Sequence, residues 1–189
     1  MTQPIPSVSV SFARQAPAQT NLYGMRPMQE RVYNQRGEQY LLIKSPPASG
    51  KSRALMYVAL DKLHNQGVKK AVIVVPEKAI GASFHDEVLT ASGFYWDWQV
   101  APQWNLCDAP GGEGGKVKSV KVFLDSDERI LVCTHATFRF AVEQFGIAAF
   151  DGCLIAVDEF HHVSANPDNK LGEQLGALIA RDKVHIVAM

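Results

Sequence analysis

The sequence predicts an α/β domain with a mainly parallel β-sheet that is covered by helices on both faces. Short apolar runs rich in β-branched residues alternate along the chain with segments whose apolar residues recur at helical spacing. This alternation is typical of parallel sheets, because parallel strands need crossover connections. Two polar stretches, residues 45–52 and 158–162, each follow an apolar run, so they are the first candidates for a functional site.

Length and composition favour one soluble domain. The chain has 189 residues, of which 47% are hydrophobic, and its nineteen basic residues balance nineteen acidic ones. A polyanion site must therefore be a local patch of charge. The sequence shows neither a run long enough to span a membrane nor the apolar core of a secretory signal. Three widely spaced cysteines, Cys107, Cys133 and Cys153, indicate buried thiols, and we expect a cytoplasmic protein.

The first part of the chain contains an arm followed by regular elements. Residues 1–21 are rich in proline and polar side chains, which favours a mobile arm ahead of a domain over 22–189. The elements predicted next are a helix over 27–37, a buried strand over 40–44, a helix over 51–67, a buried strand over 71–75 and a helix after Pro76 with Ile80, Phe84 and Val88 on one face.

The second part of the chain begins irregularly and then resumes the alternation. Residues 99–106 are compatible with a strand, and the glycine-rich residues 110–115 predict a flexible loop. Further predictions are a short helix with Lys116, Lys118 and Lys121 on a solvated face, a strand over 129–134, a helix ended by Gly146, a strand over 154–157, a helix through Leu171 and Leu178, and a strand over 184–189.

Residues 45–52 have the pattern of a phosphate-binding loop. A strand, a turn of small residues and a Gly-Lys-Ser helix start would direct backbone amides and a helix N-terminus at an anion. The lysine reaches the β- and γ-phosphates, and the serine hydroxyl coordinates Mg²⁺. The full pattern has glycine at its first position, where this chain has Ser45. The predicted nucleotide-binding residues are Pro46, Pro47, Ala48, Ser49, Gly50, Lys51, Ser52 and Arg53.

An acidic pair, Asp158 and Glu159, follows the buried strand over 154–157. The carboxyl ends of parallel strands share one edge of the sheet, so this pair is expected near the phosphate loop. We expect Asp158 and Ser52 to hold Mg²⁺, and Glu159 to orient the water that attacks the γ-phosphate, with Lys51 as the third catalytic residue. The two stretches together predict a nucleoside-triphosphate site. A glycine-containing turn beside a solvated acidic strand end is the less favoured alternative.

Five segments resemble the motifs of superfamily 2 helicases, most closely the DExH and restriction-enzyme-like branch. They are, in order, residues 26–29 (Arg-Pro-Met-Gln), 49–52 (Ser-Gly-Lys-Ser), 74–80, 133–137 and 158–161 (Asp-Glu-Phe-His). The resemblance covers about residues 24–189. It implies a RecA-like P-loop NTPase fold with three layers, α/β/α, that binds ATP and Mg²⁺. It also implies a second RecA-like lobe in the parent protein, beyond a motif expected just after Met189.

The resemblance also implies roles for individual residues. Gln29 resembles the glutamine that reads adenine, and His161 resembles the histidine that links the nucleotide site to the next motif. Phe160 departs from the family, in which alanine is usual. The residues that match segments touching a nucleic-acid backbone are Pro76, Glu77, Lys78, Thr134 and His135. The implied partner is a nucleic acid, with DNA favoured over RNA.

Simpler roles and other functions stay open at this point. Gln29 is also compatible with a solvent-facing helix position, and Thr134 with a helix cap. The tryptophans at 96, 98 and 104 are compatible with base stacking, although a place in the core is the commoner use. A different P-loop motor, such as a phage terminase ATPase, would keep the nucleotide chemistry. A scaffolding module would instead use the tryptophan-rich stretch to bind protein.

Overall fold

The centre of the molecule is a five-stranded parallel sheet. The computed structural model describes residues 20–46, 48–164 and 170–189. The strands are β1 (Tyr40–Leu42), β2 (Lys70–Val75), β3 (Ile130–Thr134), β4 (Cys153–Val157) and β5 (His185–Ala188). Their order across the sheet is β1-β5-β4-β2-β3, and every neighbouring pair is parallel. The predicted parallel sheet is confirmed, whereas nearly all of the predicted arm over 1–21 lies outside the described residues.

Helices cover both faces of this sheet. They are α1 (Pro27–Asn34), α2 (Lys51–Asn65), α3 (Lys78–Gly81), α4 (Glu113–Asp125), α5 (His135–Phe145), α6 (His161–Ser164) and α7 (Lys170–Arg181), with 3₁₀ turns at Ala82–Phe84, Leu89–Ser92, Pro102–Trp104 and Ile147–Phe150. Helix α2 connects β1 to β2 and so crosses the sheet toward β3. Helices α5 and α7 connect β3 to β4 and β4 to β5, and so cross in the opposite direction. Because such crossovers are right-handed, α2 lies on one face and α5 and α7 on the other. Accordingly α1 packs on α2, while α7 packs on α5. Helix α4, near the β3 end of the sheet, also packs on α5. The three-layer prediction is confirmed.

The register of the strands brings their carboxyl ends level. Ala188 of β5 pairs with Leu42 of β1 on one side and with Val157 of β4 on the other. Val75 of β2 pairs with Thr134 of β3. The loop after β1, the acidic pair after β4 and the start of α5 therefore lie along one edge of the sheet.

Strands β2, β3 and β4 form the centre of the core. All residues of β3 and β4, and all but the first of β2, are buried. Burial raises the pKa of the Cys107 and Cys153 thiols to about 11 and also raises that of Cys133. The prediction of buried thiols is thus confirmed. Within the described parts of the chain, no helix combines the length and apolar character needed to cross a membrane.

The prediction that the first strand is buried is wrong. Tyr40 and Leu42 of β1 are 39% and 66% exposed. Strand β1 lies at one end of the strand order, with β5 as its one paired neighbour in the described sheet. The other end strand, β3, is covered by the segment at Asn105 and Leu106, which bonds to Val132, and it is therefore buried. The apolar run at 40–43 gives no sign of whether its strand is central or at the edge.

The predictions for residues 77–106 are also partly wrong. Only α3 and one 3₁₀ turn form where a longer helix was expected, and Val88 is 66% exposed. Glu87 and Trp98 instead exchange two backbone hydrogen bonds, of 2.9 and 3.0 Å, so the backbone at Glu87 is extended rather than helical. The expected strand within 99–106 is a 3₁₀ turn begun by Pro102, followed by one bridge between Asn105 and β3.

The glycine-rich residues 110–115 are not wholly a loop. Helix α4 already begins at Glu113, so Gly114 and Gly115 belong to its first turn. An acidic residue stabilises a helix N-terminus, and Glu113 is also held by a hydrogen bond from the Thr137 hydroxyl, at 2.8 Å. Lys116 does not lie on a solvated face. Its side chain is buried and donates to the carbonyl of Leu106.

Candidate nucleotide-binding site

The loop after β1 combines a closing hydrogen bond with two left-handed residues. The Ser45 hydroxyl donates to the Ser49 hydroxyl at 2.6 Å and so closes the loop across its base. Ser45, which stands where the pattern has glycine, thus has a structural contact of its own. Ala48 and Gly50 have positive φ angles of 57° and 89°. Pro46 is exposed, and Pro47 lies outside the described residues.

Gln29 joins this loop to helix α1. Its side-chain oxygen accepts from the backbone N–H of Arg26 at 2.8 Å, and its amide group donates to the carbonyl of Gly50 at 3.1 Å. The side chain is almost fully buried, so the solvent-facing alternative is wrong. A Cβ atom at position 50 would lie 2.6 Å from the Gln29 amide nitrogen. A side chain at position 50 would therefore displace the Gln29 amide, in addition to the strain that the positive φ angle imposes.

The next three residues form the first turn of α2. The Lys51 ammonium lies 4.0 Å from a carboxylate oxygen of Glu159, and its side chain is 18% exposed. Arg53 Nε lies 3.3 Å from a carboxylate oxygen of Glu87. Ser52 faces a cavity beside Gln29. Helix α2 thus presents one cation to the acidic pair after β4 and another to the segment that follows β2.

Asp158 is a buried carboxyl at the end of β4. Its side chain accepts from the backbone N–H of Glu159 at 2.9 Å, and its own N–H donates to the carbonyl of Val74. Burial raises the pKa of Asp158, whereas the Glu159 N–H and the charge of Lys51 act in the opposite direction. A carboxylate in this position is stabilised by a nearby cation.

Glu159 lies between Lys51 and His161. One carboxylate oxygen faces the Lys51 ammonium, and the other lies 3.2 Å from His161 Nδ1. The φ angle of Glu159 is 52°, a conformation that is uncommon for residues other than glycine. Such strained residues cluster at functional sites, where the surrounding structure holds them in place.

The donor types of Asp158 and Ser52 suit a magnesium ion. Asp158 offers a carboxylate and Ser52 a hydroxyl, which are the hard oxygen ligands that Mg²⁺ takes. Among residues 20–46, 48–164 and 170–189, no group of three or more His, Cys, Asp or Glu side chains is arranged to hold a metal. One or two protein oxygens suffice for Mg²⁺ when phosphate oxygens and waters complete its shell.

Two cavities flank the phosphate loop. The larger, of about 650 Å³, is lined by Thr20, Gly24, Arg26, Gln29, Gly50, Ser52, Arg53, Met56, Ser83, Glu87 and Ser92. The smaller, of about 420 Å³, lies between the loop and the β4 end, beside Lys51, Phe160 and His161. Ser83, Glu87 and Ser92 were missed at the sequence level. No local motif marks them, since the folding of the chain after β2 brings them to the cavity.

The residues matched to nucleic-acid-binding segments lie along the same edge of the sheet. Pro76 follows β2, and Glu77 and Lys78 beside it are exposed. Thr134 is buried and caps α5 by accepting from the N–H of Thr137 at 3.2 Å. His135 Nε2 lies 3.0 Å from the backbone oxygen of Asp158. Among these residues, the exposed side chains are therefore those of Glu77 and Lys78, which follow β2.

The tryptophans are mainly core residues, as favoured from the sequence. Trp98 is fully buried and Trp104 nearly so. Trp96 is half-buried and stacks on His64, with ring centroids 4.4 Å apart and planes 2° from parallel.

Comparison with known proteins agrees with this geometry. The family model for the DEAD/DEAH box helicase matches residues 26–189, which is most of the chain. A protein of Bacillus subtilis (strain 168), named "Putative ATP-dependent helicase YeeB", is 54% identical over 170 residues, which cover 90% of this chain. The chain spans 28% of the length of that relative. The parallel sheet with its phosphate loop is the RecA-like P-loop fold. With a family match over most of its length and that fold, the chain belongs to the DEAD/DEAH box helicases.

Proposed function

We propose that this chain binds Mg·ATP and is the ATP-hydrolysing lobe of a nucleic-acid-dependent helicase or translocase. The observation that carries the proposal is the meeting of Lys51, Asp158 and Glu159 across the ends of β1 and β4. The order along the chain supports the proposal as well, because the lysine of the loop precedes the acidic pair. Lys51 lines the smaller cavity, its ammonium lies 4.0 Å from the Glu159 carboxylate, and the buried Asp158 carboxylate accepts from the Glu159 N–H.

Lys51 and Glu159 have separate tasks in the proposed reaction. The Lys51 ammonium and the amides of the loop bind the phosphates and stabilise the charge that develops on them. The Glu159 carboxylate orients the attacking water and accepts its proton. Asp158 and Ser52 would hold Mg²⁺, which offsets further negative charge on the phosphates when it is bound.

The larger cavity is the proposed place for the base and ribose. Gln29 already uses its amide to contact Arg26 and Gly50, which leaves one N–H and one oxygen lone pair for an adenine edge. Arg53 and Glu87 also line this cavity. A glutamine fixed by two backbone contacts is well placed to discriminate between bases, because little rotamer freedom is lost on binding.

The role of the whole protein is a wider proposal. The family and the length of the relative support a second RecA-like lobe and a nucleic-acid partner, for which we propose DNA. The exposed residues Glu77 and Lys78 and the start of α5 would contribute to that contact. Membership of the restriction-enzyme-like branch is part of this proposal, and it rests on the Asp-Glu-Phe-His sequence at 158–161.

Calorimetry with ATP and a non-hydrolysable analogue, each with Mg²⁺, tests the nucleotide site. Wild type should bind both, and Lys51→Ala should give no measurable binding because the phosphates lose their cation. Glu159→Gln should bind within about threefold of wild type, yet hydrolyse ATP roughly 100-fold more slowly or worse.

The matched control is Lys118→Ala, which removes an exposed lysine of α4 and should bind ATP like wild type. Folding of each variant is checked by circular dichroism. If folded wild type binds no nucleotide, the ATPase proposal fails, and a scaffolding role becomes the better account. A terminase-type motor would keep nucleotide binding but would require a different partner from a second RecA-like lobe.

A further inference from the structure

The side chain of His135 faces the nucleotide site. His135 is the first residue of α5, directly after β3, and its Nε2 atom lies 3.0 Å from the backbone oxygen of Asp158 at the end of β4. Strand β2 lies between β3 and β4, so the imidazole crosses the end of β2 to make this contact. A carbonyl oxygen can only accept, so Nε2 carries the proton and donates it.

The peptide that His135 contacts is the one between Asp158 and Glu159. Its carbonyl accepts from His135, and its N–H donates to the Asp158 carboxylate at 2.9 Å. The plane of this peptide is thus fixed at both of its polar ends. The φ angle of Glu159 is a rotation about the bond that leaves this plane, and its value of 52° requires such support.

The base of His135 is itself rigid. Thr134 caps the helix by accepting from the Thr137 N–H, and the two threonine hydroxyls lie 3.0 Å apart. Thr137 is fully buried and donates to Glu113 of α4. The imidazole therefore extends from a fixed helix start, which is what a positioning group needs.

We propose that His135 is a positioning residue for ATP hydrolysis, which holds the Asp158–Glu159 peptide so that the Glu159 carboxylate faces the attacking water. The inference rests on the proposed function and refines it. It also gives His135 a task that does not require contact with nucleic acid. Movement at the start of α5, in a segment matched to nucleic-acid binding, would reach Glu159 through this one side chain.

Single-turnover hydrolysis of Mg·ATP by the chain, with nucleic acid absent, tests the proposal. His135→Ala should slow hydrolysis at saturating ATP about tenfold while the dissociation constant for Mg·ATP stays within about twofold. His135→Gln should stay within about threefold of wild type, because its amide nitrogen can donate from the same place. His85→Ala, which removes an exposed histidine of the chain after β2, is the control.

Amide hydrogen exchange at Glu159, without nucleotide, is the second readout. Exchange there should be about tenfold or more faster in His135→Ala and near wild type in His135→Gln. If neither hydrolysis nor exchange changes in His135→Ala, or if His135→Gln is as impaired as His135→Ala, the positioning role is overturned. If wild type does not hydrolyse ATP but exchange responds as expected, the proposed function and the role of His135 in hydrolysis both fail, and only the support of the Asp158–Glu159 peptide by His135 stands.

Discussion

Gly50 shows how one residue can serve two requirements of the site. It precedes α2 in a left-handed conformation, and its carbonyl accepts hydrogen bonds from both the Gln29 amide and the backbone N–H of Ala54. The Gly-Lys-Ser pattern predicts the first requirement. The close approach of Gln29 is a tertiary contact, and its sequence separation of 21 residues hides it from any local pattern.

Gly50→Ala should destabilise the fold and weaken nucleotide binding. A left-handed alanine costs about 1–2 kcal/mol, and its Cβ would displace the Gln29 side chain. Urea unfolding and calorimetry with Mg·ATP measure the two effects. Gly37→Ala, at a glycine with open space around it, should change the unfolding free energy by less than about 0.5 kcal/mol. Equal behaviour of the two variants would contradict the explanation.

At the scale of elements, α2 is anchored by a buried lysine near its end. Lys62 is completely buried and donates to the Glu38 carbonyl at 2.7 Å and to His185 Nδ1 at 3.0 Å. These contacts tie the helix to the chain before β1 and to β5. The helix that carries Lys51 is therefore fixed to the chain before β1 and to β5, the strand that pairs with β1.

The buried lysine predicts a specific pH dependence of stability. Burial lowers the pKa of Lys62 to about 8, from 10.5 in the unfolded chain. Between these values the unfolded chain binds more protons, so the contribution of this group to the unfolding free energy rises with pH. The difference in unfolding free energy between wild type and Lys62→Met should therefore increase from pH 7.5 to pH 10. A difference that is flat or falls over this range would contradict the lowered pKa.

The elements that were predicted well share a strong local signal. Strands β2, β3 and β4 are apolar except for Lys70 and Thr134 at strand ends, and α5 ends before Gly146 as its sequence indicates. The elements that were missed depend on distant partners. The backbone at Glu87 is extended because it bonds to the backbone of Trp98. The Lys116 side chain is buried, and its ammonium donates to the carbonyl of Leu106. Neither contact can be inferred from the local periodicity of the sequence.

At the scale of the whole molecule, the segment between β2 and β3 is part of the core. Trp98 is fully buried and donates from Nε1 to the carbonyl of Phe84 at 3.2 Å. Leu106 donates from its backbone to β3, beside the bridge from Asn105. The same segment supplies Ser83 and Glu87 to the larger cavity. The shape of the candidate base pocket thus depends on the packing of residues far from the phosphate loop.

Trp98→Ala should destabilise the domain by about 3–5 kcal/mol, as expected for loss of a buried aromatic side chain. Tyr95→Ala, at a ring that is 58% exposed, should cost much less. Denaturant unfolding of both variants measures the difference. Similar small losses would mean that the segment packs independently of the core.

The edge at which the site lies could be predicted, whereas its walls could not. Asp158 and the phosphate loop each follow an apolar strand, and parallel strands bring such ends together whatever their order. The strand order itself decides that His135 reaches Asp158 across β2. That order arises from crossovers between distant segments, so the contact appears only in the folded chain.

The three buried thiols make the protein suitable for selective chemical labelling. Thiolates are the reactive form, and Cys107, Cys133 and Cys153 are both inaccessible and difficult to ionise. A single cysteine introduced at exposed Val88, next to Glu87, would be the favoured target of a maleimide dye. Fluorescence from that position would report events at the larger cavity with every native cysteine left in place.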